Sequence, residues 1–170
     1  PTAVDHASEY RYRNPITGNK TLTIIISQSG ETADTLAALK EAKKRGSHTL
    51  AIVNVVGSSI ANAADDVIYT WAGPEIAVAT TKGYSTQLSV LYLFAVWAAR
   101  LLKTADGARL DKIFDDILML PELTERVILA EPQIKETAKH CGDPKSLFFI
   151  GRNIDYAVSL EASLKLKEIS

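Results

Sequence analysis

The chain has 170 residues, 46% of them hydrophobic, which is ample for a packed core and argues against disorder. Nineteen basic residues against twenty acidic ones leave a formal charge of −1, without the positive excess that nucleic-acid binding usually requires. The single cysteine, Cys141, cannot close a disulfide within the chain, and the first residues lack a signal-like apolar core, so a reducing cytoplasm is expected.

Three short runs, Leu22 to Ile26, Thr49 to Val53 and Asp66 to Thr70, are nearly continuous in apolar residues. Strands covered on both faces read this way, and a parallel sheet is expected. Between the first two runs, Ala33, Leu36, Leu39 and Ala42 recur at helical spacing, Lys40 to Arg45 form a charged and solvated helix end, and Gly46 supplies the stop. This strand, helix, strand order is a βαβ unit, so the class is α/β. Gly57, Ser58 and Ser59 turn the chain into a short helix before the third strand, and Ala72-Gly73-Pro74 breaks it afterwards.

A helix is predicted from about Ser85 to Leu102. Its apolar stretch, Leu88 to Leu102, contains Ser89 and Arg100 and falls short of the roughly 20 residues that cross a bilayer, so a buried helix is expected and no membrane span. Residues 103 to 107 are polar, and Leu110 to His140 read as helices interrupted at Pro121 and Pro132. A fourth strand is predicted at Leu147 to Ile150, leading through Gly151-Arg152 into a helix from about Asp155.

The run Ser27-Gln28-Ser29-Gly30-Glu31-Thr32 falls where the first strand ends and a helix begins. Free N–H groups of a first helical turn attract anions, short hydroxyls add donors, and open α/β sheets bind ligands at the carboxyl ends of their strands. Ser29 acting merely as an N-cap, with Thr32 at the third helical position, is the plainer reading. The density of donors in Ser27, Gln28, Ser29 and Thr32 exceeds what one cap requires. Neither a G-x-x-x-x-G-K-[ST] loop nor a G-x-G-x-x-G fingerprint is present, so a single phosphate on a small molecule is a more economical ligand than a nucleotide.

At residues 27 to 44, SQSGETADTLAALKEAKK, the chain resembles the sugar isomerase (SIS) domains of the glucosamine-6-phosphate synthase family. ASEYRYRNP at 7 to 15, NVVGSS at 54 to 59, AGPEIAVATTKGYSTQL at 72 to 88 and GRNIDYAVSLEASLKLKEIS at 151 to 170 are similar to that family in the same order. The resemblance implies a three-layer αβα sandwich with a mostly parallel sheet and flavodoxin-like topology. It implies most of a first SIS domain over 1–103, a helical connector over 104–145 and the start of a second SIS domain over 146–170.

The activity implied is conversion of fructose 6-phosphate to glucosamine 6-phosphate, with ammonia from a separate glutaminase domain, in a homodimer and without a cofactor. The family's phosphate-binding residues fall on Ser27, Gln28, Ser29 and Thr32. Its sugar-lining segment falls on Val78 and Ala79, and its proton-transfer base on Glu168, with Lys165 one turn before. Gly83-Tyr84 stand where the family commonly has Ala-Phe, and Thr80 where serine is usual. The family's first strand and helix, with their Gly-Thr-Ser turn, its ring-opening histidine and its imine-forming lysine have no counterpart in these residues, so a part of a larger enzyme is expected.

Glu161, Lys165 and Glu168 stand at i, i+4 and i+7, on one helix face. A solvated ion-pair ladder is the plain account of that spacing. The resemblance adds a catalytic role: aldose–ketose interconversion moves a proton between adjacent carbons and needs a base within reach of both. Burial would raise the Glu168 pKa and Lys165 would lower it. A SIS module that binds sugar phosphate as a sensor is the alternative, and an α/β domain without a ligand is a third. His6, His48 and His140 show no metal-ligand spacing. Cys141 beside His140 is read as a passive thiol rather than a nucleophile.

Overall fold

The computed structural model describes residues 2–142 and 144–169. Their order is α1 (Ala7–Tyr10), β1 (Leu22–Ser27), α2 (Ala33–Lys44), β2 (His48–Val53), α3 (Ser59–Ala63), β3 (Asp66–Tyr69), α4 (Lys82–Leu102), α5 (Gly107–Leu118), α6 (Leu120–Leu129), α7 (Glu131–His140) and α8 (Ile154–Ile169). The chain divides into two compact units, one of Pro1–Ile76 and Thr80–Leu91, the other of Ala77–Ala79 and Tyr92–Ser170.

The first unit holds a parallel sheet in the order β1-β2-β3. Leu22 pairs with His48 and Ser27 with Val53, while Leu50 pairs with Asp66 and Val53 with Tyr69. Residues Thr49 to Val53 of the central strand are buried without alternation, as both-face coverage demands. On one face Ile25, Ala51 and Val53 meet Leu39 of α2 and Ile60 and Ala61 of α3 in the core cluster. The α/β class and the three strands agree with the sequence to within a residue at each end.

Local chemistry accounts for the ends of the helices. Gly46, at φ +82°, takes the left-handed conformation after α2, and the Ser58 hydroxyl caps α3 by accepting from the Ala61 N–H. The charged end of α2 is not simply solvated. Arg45 binds Glu41, the Pro15 carbonyl and Asn14, and Lys43 binds Asp65 and the Ala63 carbonyl.

Helix α4 begins a turn earlier than predicted. The Glu75 carboxylate accepts from the N–H groups of Thr81 and Gly83, both at 3.1 Å, which satisfies donors at the start of the helix. The expectation that α4 is buried is not met. Tyr92, Leu93, Trp97, Leu101 and Leu102 are exposed, because apolar residues surround the helix and the described residues cover only part of that circumference. With 21 residues, 18 of them a stretch of mean hydropathy 1.3, α4 is long and apolar enough to cross a membrane by length and composition.

In the second unit, Pro121 and Pro132 fall in the first turns of α6 and α7, where a missing N–H is harmless, so each proline restarts a helix as expected. The predicted fourth strand does not form. Leu147 to Ile150 join no ladder, and Phe148 and Ile150 are 88% and 89% exposed. An apolar run becomes a strand when it finds a partner, and none lies alongside it among the described residues.

Candidate functional site

Strand β1 ends by delivering Ser27, buried, to the carboxyl edge of the sheet. Its Oγ accepts from the Gly30 N–H at 3.1 Å and lies 3.4 Å from the Thr32 hydroxyl. Ser29 is exposed, and its Oγ accepts from the Glu31 N–H at 3.2 Å. Thr32, not Ser29, is the N-cap of α2, and its side chain makes no capping hydrogen bond. That overturns the plain reading of Ser29 as the cap. It also leaves first-turn N–H groups of α2 without a capping side chain, beside the Thr32 and Ser29 hydroxyls.

Gly30 has φ +69°, and a Cβ added there would lie 2.1 Å from Ser58 Oγ. What the glycine admits is therefore the N-terminus of α3. The Ile60 N–H donates to the Gly30 carbonyl, while the Ser59 N–H and hydroxyl both donate to the Glu31 carboxylate. Hydrogen bonds from the Ser59 hydroxyl and then its N–H hold the Glu31 pKa below the usual carboxylate value. The loop is thus braced from outside, with the acidic side chain drawn to α3.

Asn54, after β2, is a residue that the sequence did not single out. Its N–H donates to the Gln28 carbonyl, its Nδ2 to the Gly73 carbonyl, and its Oδ1 accepts from Thr70 and Ala72. One residue therefore ties together the segments that follow all three strands, its backbone N–H reaching the one after β1 and its side chain the one after β3. Its only advance signal was its position directly after a buried strand, since a short carboxamide offers both donor and acceptor to loops.

Gln28 reaches α4, where its Oε1 accepts from Gln87 Nε2 at 3.3 Å. Gln28 Nε2 is buried and without a partner among the described residues. Val78 is 91% exposed and Ala79 buried. Both lie in the segment spanned by Glu75 and the two N–H groups that it accepts from.

Lys165 and Glu168 lie on α8 in the other unit. Lys165 Nζ stands 3.2 Å from Glu161 Oε1 and 3.1 Å from Glu168 Oε2, so the predicted ladder forms, with the side chains of Lys165 and Glu161 about three-quarters buried and Glu168 more exposed. Partial burial pulls the Lys165 pKa down, but hydrogen bonds to Glu168 and Glu161 outweigh it and leave the ammonium above its usual value. Cys141 and His140 do not meet. Each turns back onto its own helix, to the Thr137 and Glu136 carbonyls.

A parallel α/β unit with a hydroxyl-lined loop at the carboxyl end of β1, running into an uncapped helix, has the form of a small-anion site. The SIS domain family matches residues 1–97, more than half of the chain, and the chain belongs to that family. It is 53% identical over its whole length to the glutamine--fructose-6-phosphate aminotransferase [isomerizing] of Clostridium tetani, spanning 28% of that protein. With the protein of the same name from Caldanaerobacter subterraneus subsp. tengcongensis it shares 54% over its whole length, again 28% of the relative. The solved C-terminal domain of glucosamine-fructose-6-phosphate aminotransferase from Francisella tularensis superposes with a TM-score of 0.94 at 35% identity, covering 99% of this chain and 48% of that one. The chain therefore spans about a quarter of the length of the curated relatives it matches.

Proposed function

We propose that this chain is a sugar-phosphate-binding part of an isomerizing glutamine–fructose-6-phosphate aminotransferase, an enzyme that makes glucosamine 6-phosphate from fructose 6-phosphate and glutamine-derived ammonia. The observation that carries the proposal is the β1–α2 loop, where Thr32 leaves the helix uncapped and Gln28 Nε2 has no partner among the described residues. Identity above 50% to proteins of that name supports it over a sensor that merely binds.

In this reading Ser27, Gln28, Ser29 and Thr32 hold the phosphate, and Val78 and Ala79 line the sugar. Glu168 takes a proton from one carbon and returns it to its neighbour, while Lys165, paired with it at 3.1 Å, fixes the carboxylate's direction. Turnover belongs to the complete enzyme, in which residues 1–103 contribute to a first SIS domain, 104–145 connect, and 146–170 begin a second. A glutaminase domain and a second copy of the chain are its partners, and nucleic acid is not. A cytoplasmic setting follows. The polar residues Ser85, Thr86, Gln87 and Ser89 at the start of α4, and the Gln87 bond to Gln28, suit a helix of a SIS domain better than a membrane span.

The test is Glu168→Gln in the complete enzyme. Sugar isomerisation should fall below about one thousandth of wild type, the upper range for losing a general base, while fructose 6-phosphate still binds. Unchanged turnover would reject the assignment.

A further inference from the structure

We propose that Gln87, on the second turn of α4, is a positioning residue that fixes which end of the Gln28 carboxamide is offered to a phosphate. The proposal rests on the reading of the β1–α2 loop as a phosphate site. A carboxamide has an acceptor at one end and a donor at the other, and in an unconstrained glutamine the two exchange by rotation. Here the acceptor end is engaged, with Gln87 Nε2 donating to Gln28 Oε1 at 3.3 Å.

The second constraint comes from the same face of α4, one turn earlier. A Cβ at Gly83 would lie 2.9 Å from both Cδ and Oε1 of Gln28, so the carboxamide rests in the space that the glycine leaves open. Residues 83 and 87 stand at i and i+4 and form the two walls of one slot. The donor end, Nε2, is then the atom left over, screened from water and unpartnered among the described residues.

A buried donor without an acceptor is an unfavourable arrangement that a charged oxygen relieves. The Ser27 hydroxyl accepts from the Gly30 N–H and lies 3.4 Å from the Thr32 hydroxyl, so one proton of that hydroxyl pair is left to donate. With Gln87 in place, Gln28 presents a donor to an anion, whereas a reversed amide would present a carbonyl oxygen to a phosphate.

Gln87→Met removes the clamp without adding charge, and Gln87→Glu supplies an acceptor that can pair only with Nε2 and so turns the amide round. Each variant, in the complete enzyme, is expected to raise the KM for fructose 6-phosphate about tenfold, the factor for one hydrogen bond to a charged group, with kcat within about twofold. Calorimetry should show the same loss of affinity. Weakening in the glutamate variant alone would indicate charge repulsion and overturn the positioning role, as would a lowered kcat with unchanged KM. Failure of wild type to bind fructose 6-phosphate would remove the phosphate site and this inference with it, whereas wild-type binding that both variants retain would overturn Gln87 alone.

Discussion

Replacing Gly30 by alanine tests whether the β1–α2 loop is shaped by its abutment on α3. Two costs add. At φ +69° a side chain enters the left-handed region, at about 1–2 kcal/mol. The new Cβ would also fall 2.1 Å from Oγ and 2.5 Å from Cβ of Ser58, so Ser58 must move and α3 forfeits a cap worth about 0.5–2 kcal/mol. Together these come to about 3 kcal/mol, or roughly 6–12 °C in melting temperature for a chain of this size. The decisive assay is a thermal or urea double-mutant cycle with Ser58→Gly, which removes both clashing atoms and leaves Val53 Cγ1 at an ordinary 3.6 Å as the next neighbour. In that background Gly30→Ala should cost only the backbone strain, about 1–2 kcal/mol. An equal cost in both backgrounds would refute the account of the loop.

Thr32→Ala separates binding from stability. Because the Thr32 side chain makes no cap bond, the melting temperature should change little, whereas fructose 6-phosphate affinity should fall about tenfold in calorimetry. Asp65→Asn tests the amino end of β2 by the pH dependence of stability. Hydrogen bonds from Lys43 and then from the Thr49 hydroxyl and N–H push the Asp65 pKa well below the model-peptide value of 3.8. A carboxyl lowered on folding stabilises above its unfolded pKa and loses that contribution as pH falls through the folded one. The variant should thus be less stable than wild type at neutral pH, with the difference shrinking below about pH 4 in melts taken across pH. A constant difference down to the lowest pH would rule that linkage out.

The sheet was legible because β2 carries a run that is apolar on both faces, and because α2 pairs a regular stripe with Gly46. What escaped were features set by residues distant in sequence. The start of α4 depends on Glu75, six residues before Thr81, which no local helix pattern announces. The neighbour that Gly30 makes room for is Ser58, twenty-eight positions on. Leu147 to Ile150 have strand composition but no ladder, since composition cannot report a partner. The four loop residues of the candidate site were readable from their types and their place after a strand. Asn54 and Gln87 were not, because each acts through a hydrogen bond that the fold creates.

Sugar-phosphate recognition is the claim on which the rest depends, and thermal unfolding measures it most directly. Fructose 6-phosphate at about a hundred times its dissociation constant should stabilise the protein by about 2.7 kcal/mol, while fructose lacking its phosphate leaves the melting temperature where it was. No shift with the phosphorylated sugar, or an equal shift with free fructose, would contradict the account.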